Sequence, residues 1–138
     1  MSTSHAEHQV PSWSAIPSQS LPTPHFKYSP IVRAGSFLFV SGMVGLDREH
    51  GGLVAGGLEV EARAIFQNLK RACLELEVSF HQLMLVRVYC CDFAKFGEFN
   101  AVWDEYFKDQ TPPARTSIGV SALPLGALIE MEFQFAID

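Results

Sequence analysis

From Leu58 onward the apolar residues Leu58, Ala62, Ile65, Leu69, Ala72 and Leu76 recur at spacings of four, three, four, three and four. Glu59, Glu61, Arg63, Gln67, Lys70, Arg71 and Glu75 fill the positions between them. This is the period of an α-helix with one wet face, and it predicts a helix of about 20 residues lying on a flat apolar layer. Near the end of the chain the period changes to two. Ile129, Met131, Phe133, Phe135 and Ile137 alternate with Glu130, Glu132 and Gln134, so 128–137 reads as a half-buried strand.

Shorter apolar runs complete the pattern. Phe37-Leu-Phe-Val40 ends at Ser41-Gly42 and reads as a strand, with Ile31-Val-Arg33 its partner across Ala34-Gly35-Ser36. Gly51-Gly52 and Gly56-Gly57 mark Gly45–Gly57 as a loop. Leu85 to Cys91 is β-branched and aromatic, hence a strand, with Asp92 its terminator or a helix N-cap. A second helix spans about Lys95 to Phe107, with Phe96, Phe99, Trp103, Tyr106 and Phe107 on one stripe. Thr111-Pro112-Pro113 stops it, and a strand follows over 115–122. Leu123–Ala127 then turns the chain into the last strand, which predicts a hairpin between the two.

The order is β-β-α-β-α-β-β. It predicts an α+β fold, a single sheet of about five to six strands with two helices on one face. No helix is left for the other sheet face, and self-association is the natural way to cover it. Residues 1–24 are rich in Ser, Thr, Gln, His and Pro and read as a flexible arm, leaving 25–138 as the folded domain.

Composition narrows the function. The 138 residues are 48% hydrophobic and only 18% charged, and they include eleven Phe, so some apolar surface is expected to meet another subunit. Ten Lys and Arg against fifteen Asp and Glu give a net charge of −5. Without a basic run, that balance argues against nucleic acid as a partner. No run of about 18 apolar residues is present to cross a membrane. Cys73, Cys90 and Cys91 form no disulfide framework or metal-ligand spacing and suit a reducing, cytoplasmic setting. No basic stretch followed by an apolar run opens the chain, so no signal peptide is expected.

Several residues could carry chemistry. Arg115, at a strand end behind two prolines, suits a bidentate carboxylate clamp, although by itself a surface arginine or an intersubunit salt bridge is the more ordinary explanation. Ser117 shares its face. Glu130 and Glu132 lie on one strand face, which solvent exposure alone would explain. Asn100 sits on the apolar stripe and must find hydrogen-bond partners, whether a loop or a site. No serine or cysteine is paired with a histidine in the manner of a nucleophile and its base.

Taken together, some of these residues become specific. Pro112-Pro113-Ala114-Arg115-Thr116-Ser117, then Leu123-Pro124, then Ile129-Glu130-Met131-Glu132 resembles the C-terminal signature of the YjgF/Rid (reactive intermediate deaminase) family. Tyr28, thirteen residues before Ser41-Gly42, and Asn100 fit the same pattern, so the resemblance covers about residues 24–138. It implies a chorismate-mutase-like α+β sheet, a homotrimer with sites between subunits, and hydrolysis of 2-imino and 2-enamino acids to 2-keto acids and ammonia. It implies no cofactor and no metal.

Carried over by position, the resemblance makes Arg115 the grip on the substrate carboxylate and Glu130 the residue that positions or activates water. Tyr28 lines the pocket, Ser41 and Gly42 touch the substrate, and Asn100 stands beside the arginine. A protonated imine is already electrophilic, so orientation and one placed water suffice. One departure is Ser117, where the imine-deaminase branch usually carries Cys. Serine donates a better hydrogen bond, which would suit a different or larger imine, or a sister branch.

The predicted hairpin would pair Glu130 with residues 119–121, roughly 13–20 Å along the ladder from Arg115. On that geometry one small substrate reaches both only if they belong to different chains. The alternatives are a 2-aminomuconate-type deaminase and a regulatory trimer that binds small carboxylates without turnover. The net charge and the absence of a histidine pair argue against a ribonuclease.

Overall fold

A computed structural model describes residues 12–138. The strands are β1 (Ser14–Ala15), β2 (Ile31–Ala34), β3 (Phe37–Met43), β4 (Leu83–Cys90), β5 (Ala114–Gly119) and β6 (Ile129–Ala136). The helices are α1 (Leu58–Leu76) and α2 (Phe96–Tyr106). All six strands form one sheet in the order β1-β2-β3-β6-β4-β5, with β5 parallel to β4 and every other pair antiparallel.

Both helices pack on one face of the sheet. Ile65, Phe66 and Leu69 of α1 and Phe99 and Val102 of α2 meet Val86, Val88, Ile129, Met131, Phe133 and Phe135, all buried. Phe66 is the hub, stacked on Tyr106 at 4.6 Å and in edge or tilted contact with Trp103, Phe107 and Phe133. The opposite face carries Phe37, Phe39, Arg87, Tyr89, Glu130, Glu132 and Ile118. Phe37, Phe39 and Ile118 are exposed there. The two-residue turn between β2 and β3 has Gly35 at φ +58°, which a side chain would disfavour.

The predicted hairpin between the last strands does not form. The sheet places β6 between β3 and β4 and puts β5 outside β4, at the edge. Burial explains the choice. Every second residue of β6 is buried, so it belongs between two partners, whereas β5 is exposed along most of its length and suits an edge. The chain between β5 and β6 steps over the end of β4. There Val120 N–H donates to the Cys90 carbonyl and Cys91 N–H donates to the Leu128 carbonyl.

The sheet also reaches back into the segment that composition assigns to the arm. Ser14 and Ala15 pair with Arg33 and Val32, and Leu21 is buried against the core. Residues 18–20 are held by Glu75 near the end of α1, which accepts from Ser18 Oγ at 2.6 Å and from the amides of Gln19 at 2.6 Å and Ser20. Polar residues and prolines mask this docking in the sequence. Its apolar anchors, Ile16 and Leu21, are not at helical or strand spacing. Residues 1–11, the rest of the expected arm, lie outside the described residues.

Candidate active site

The candidate residues fall into two groups. Tyr28, Ser41, Gly42 and Glu130 line one cleft of about 530 Å³ at the end of β3. Arg115, Asn100 and Ser117 gather instead at the β5 edge, on the helix side of the sheet.

The cleft group is built by a β-bulge. Val40 pairs with Phe133 and Met43 with Met131, so Ser41-Gly42 carries one residue more than the opposing strand. The bulge interrupts the ladder beside the start of β6, where Glu130 stands. Ser41 N–H donates to the Pro30 carbonyl at 2.8 Å, and Ser41 Oγ donates to the Ser29 carbonyl at 2.7 Å. The hydroxyl proton is therefore committed, and its lone pairs remain to accept from a ligand N–H. A Cβ at Gly42 would lie 2.5 Å from Glu130 Oε2 and 2.9 Å from Cδ. Only glycine leaves room for the carboxylate there.

Burial, and then the charge of Glu132, pushes the Glu130 carboxyl above its ordinary value. Glu132 is itself held by Tyr89, whose hydroxyl donates to Oε1 at 2.5 Å, with Arg87 3.9 Å away. A carboxylate raised towards neutrality can take a proton and return it, as a general base and then an acid must.

At the β5 edge, Arg115 donates from Nη1 to Asn100 Oδ1 at 2.9 Å. The apolar stripe of α2 thus carries Asn100 for a reason, since it orients the guanidinium. The same stripe walls the cation: the guanidinium carbon lies 4.8 Å from the Trp103 ring centre, 5.5 Å from Phe96 and 5.7 Å from Phe99. Burial lowers Arg115 from its ordinary pKa, with the Asp104 charge opposing. The guanidinium stays ionised, with donors free for an anion. Two residues on, Ser117 Oγ is buried and has no hydrogen-bond partner.

Arg115 and Glu130 do not meet in one chain. Arg115 is in register with Val86 and Glu130 with Tyr89, so they are three ladder positions and two strands apart. That is about 10 Å along the strands and about 10 Å across them. Their side chains also leave opposite faces of the sheet, Arg115 towards α2 and Glu130 away from the helices.

Sequence reasoning missed the aromatic wall behind Arg115, reading those rings only as core. The far part of the cleft, Leu21 to Phe26 and Leu46, was hidden by its place in loops. Among the described residues no group of three or more His, Cys, Asp or Glu is placed to hold a metal ion. No described helix is long and apolar enough to cross a membrane.

Fold and site together define a small α+β protein with a sheltered carboxylate in a cleft and an oriented arginine at a sheet edge. Comparison with known proteins supplies the family. A family model described as Endoribonuclease L-PSP matches residues 18–137. A RutC family protein of Aquifex aeolicus is 37% identical over 85% of this chain and 94% of its own length. A mouse 2-iminobutanoate/2-iminopropanoate deaminase is 34% identical over 76% of this chain and 77% of its own. A conserved Rid-family protein from Yersinia pestis superposes with a TM-score of 0.85 at 26% identity, over 91% of this chain and 99% of that one. The chain belongs to the endoribonuclease L-PSP family, the YjgF/Rid family of its sequence signature.

Proposed function

We propose that the protein hydrolyses reactive 2-imino acids and their enamine tautomers to 2-keto acids and ammonia, at sites shared between the subunits of a homotrimer. The observation that carries this reading is Glu130, a carboxylate raised above its ordinary value by burial in a cleft beside Ser41 and Tyr28. The deaminase name of the mouse relative supports it.

In the proposed reaction the substrate carboxylate lies on the Arg115 fork of one subunit, with Asn100 holding the fork in place. The iminium carbon sits over Glu130 of the next subunit. Glu130 takes a proton from water as the oxygen bonds to that carbon, and the C=N electron pair moves to nitrogen. Glu130 then gives that proton to the carbinolamine nitrogen and, ionised again, takes the hydroxyl proton, which it afterwards returns to solvent. Ammonia leaves as the C=O bond forms. Water is the only co-reactant. The oxygen lone pairs of Ser41 can accept from the iminium N–H, and the Tyr28 ring shields the cleft.

The opposite facing of Arg115 and Glu130 supports a site between subunits. The free edge of β5 and the exposed Phe37, Phe39 and Ile118 on the helix-free face support self-association. The rival is a trimer that binds keto acids without turnover. Glu130→Ala separates the two. We expect the enzyme's contribution to ammonia release from 2-iminobutanoate, generated in situ by a dehydratase and corrected for spontaneous hydrolysis, to fall by roughly 10²–10⁴-fold while 2-ketobutanoate still binds. Unchanged ammonia release overturns the hydrolase reading.

A further inference from the structure

The cleft is larger than a three- or four-carbon imino acid requires. At about 530 Å³ it lies within the ~300–1,000 Å³ range of pockets that enclose much larger ligands. Glu130, Ser41 and Gly42 occupy one end. Beyond them the cleft is lined by Leu21, Pro22, Pro24, Val44 and Leu46.

The chemistry of that far end is apolar. Its one buried amide, Asn68, is already occupied: Nδ2 donates to the Leu46 carbonyl at 3.0 Å and Oδ1 accepts from Arg71 at 2.7 Å. His25 lines the cleft but is exposed. Glu130 apart, no Asp, Glu, Lys or Arg side chain lines the cleft, with Arg71 engaged behind Asn68, whereas an aliphatic or aromatic group would bury its surface there.

The wall is also fixed in place. On the N-terminal side, Glu75 holds Ser18, Gln19 and Ser20. On the C-terminal side, Ser41 holds Ser29 and Pro30. Residues 21–28 are thus a strap tied at both ends, with Leu21 anchored in the core. A pre-formed wall of this kind binds an apolar group without first having to order itself.

We infer that the far end of the cleft is a side-chain subsite, and that the protein favours 2-imino acids with a bulky apolar side chain, branched or aromatic, over three- and four-carbon ones. Glu75 is then a positioning residue that acts through the strap. This inference rests on the deaminase reading above.

The test generates imines in situ from leucine, phenylalanine and 2-aminobutyrate with a broad-specificity amino-acid oxidase and catalase, and compares kcat/KM. We expect the leucine or phenylalanine imine to exceed 2-iminobutanoate by about tenfold or more, the scale on which apolar pockets discriminate. Glu75→Ala should bring that ratio towards one through KM for the bulky imine, and Glu75→Gln should retain most of it. Thr23→Trp, which narrows the cleft without touching the clamp, should lower the ratio too and serves if Glu75→Ala does not fold. Activity with a wild-type ratio at or below one overturns the subsite and leaves the deaminase reading standing. A ratio unmoved in folded Glu75→Ala and Thr23→Trp also overturns it. No acceleration of imine loss over spontaneous hydrolysis for any of the three overturns both.

Discussion

The Glu130 carboxylate lies over the α-carbon of Gly42, so close that a single added methyl at Gly42 would come within 2.5 Å of Oε2. The clashing atoms belong to the end of a flexible side chain, so Gly42→Ala should fold and Glu130 should swing aside. Displacement of a reacting group by about 1 Å costs on the order of 10²-fold in rate. We therefore expect Gly42→Ala to melt close to the wild-type temperature and to lose roughly that factor in kcat. A variant of full activity would mean that Glu130 has no fixed catalytic position.

The pH profile should report the pair Glu130 and Glu132. Glu130 is needed ionised, and its pKa is raised by burial and then by the Glu132 charge. Activity should therefore fall with decreasing pH along a limb above the ordinary glutamate range. Glu132→Gln removes the like charge while keeping a group that can accept from Tyr89. Glu130 then ionises more easily, and the limb should move to lower pH. Burial remains, so it should not return all the way. A limb that stays put or moves up would separate it from Glu130.

Arg115 should resist its conservative replacement. Arg115→Ala removes a charge-assisted fork worth roughly 2–3 kcal/mol, or about 10²-fold in kcat/KM, mostly through KM. Lysine offers a compact charge that neither lies flat against Trp103 nor reaches Asn100 and a carboxylate together. Arg115→Lys should therefore recover little. Wild-type KM values in either variant would remove Arg115 from substrate binding.

The elements that carry the candidate residues are largely legible in the sequence, and particular residues show why their arrangement is not. The α1 period fixes a helix because its apolar stripe runs unbroken for five turns. Asn100 stood out because an amide on an apolar stripe needs a partner, and Arg115 is that partner. The position of β5 could not be read. A tight turn predicts a hairpin from local signals alone, but the choice of neighbour for β6 depends on how much of each strand is buried, which β4 wins through Val86 and Val88. Arg115 and Glu130 are separated within one chain, but by the intervening β4 and their opposite facing and not by a hairpin ladder. The docked strap was invisible because its ties are a carboxylate and backbone amides, which leave no pattern in sequence.

That separation makes the shared site testable by mixing two inactive proteins. Arg115→Ala lacks the grip and Glu130→Ala lacks the base, so each homotrimer should be nearly silent. If every site takes its arginine from one subunit and its glutamate from the next, a mixed trimer contains some sites that draw both intact residues. Random assembly of equal amounts pairs an intact arginine with an intact glutamate at about one site in four in a cyclic trimer. Co-expressed or co-refolded variants should therefore regain about a quarter of wild-type activity, while the two trimers mixed without exchange regain none. The double variant Arg115→Ala/Glu130→Ala combined with wild type gives the same fraction of intact sites, since each half must then come from a wild-type subunit. Mixed trimers that form but stay silent would mean that one chain supplies both groups, and would overturn the shared site proposed from the opposite facing of Arg115 and Glu130 across the sheet.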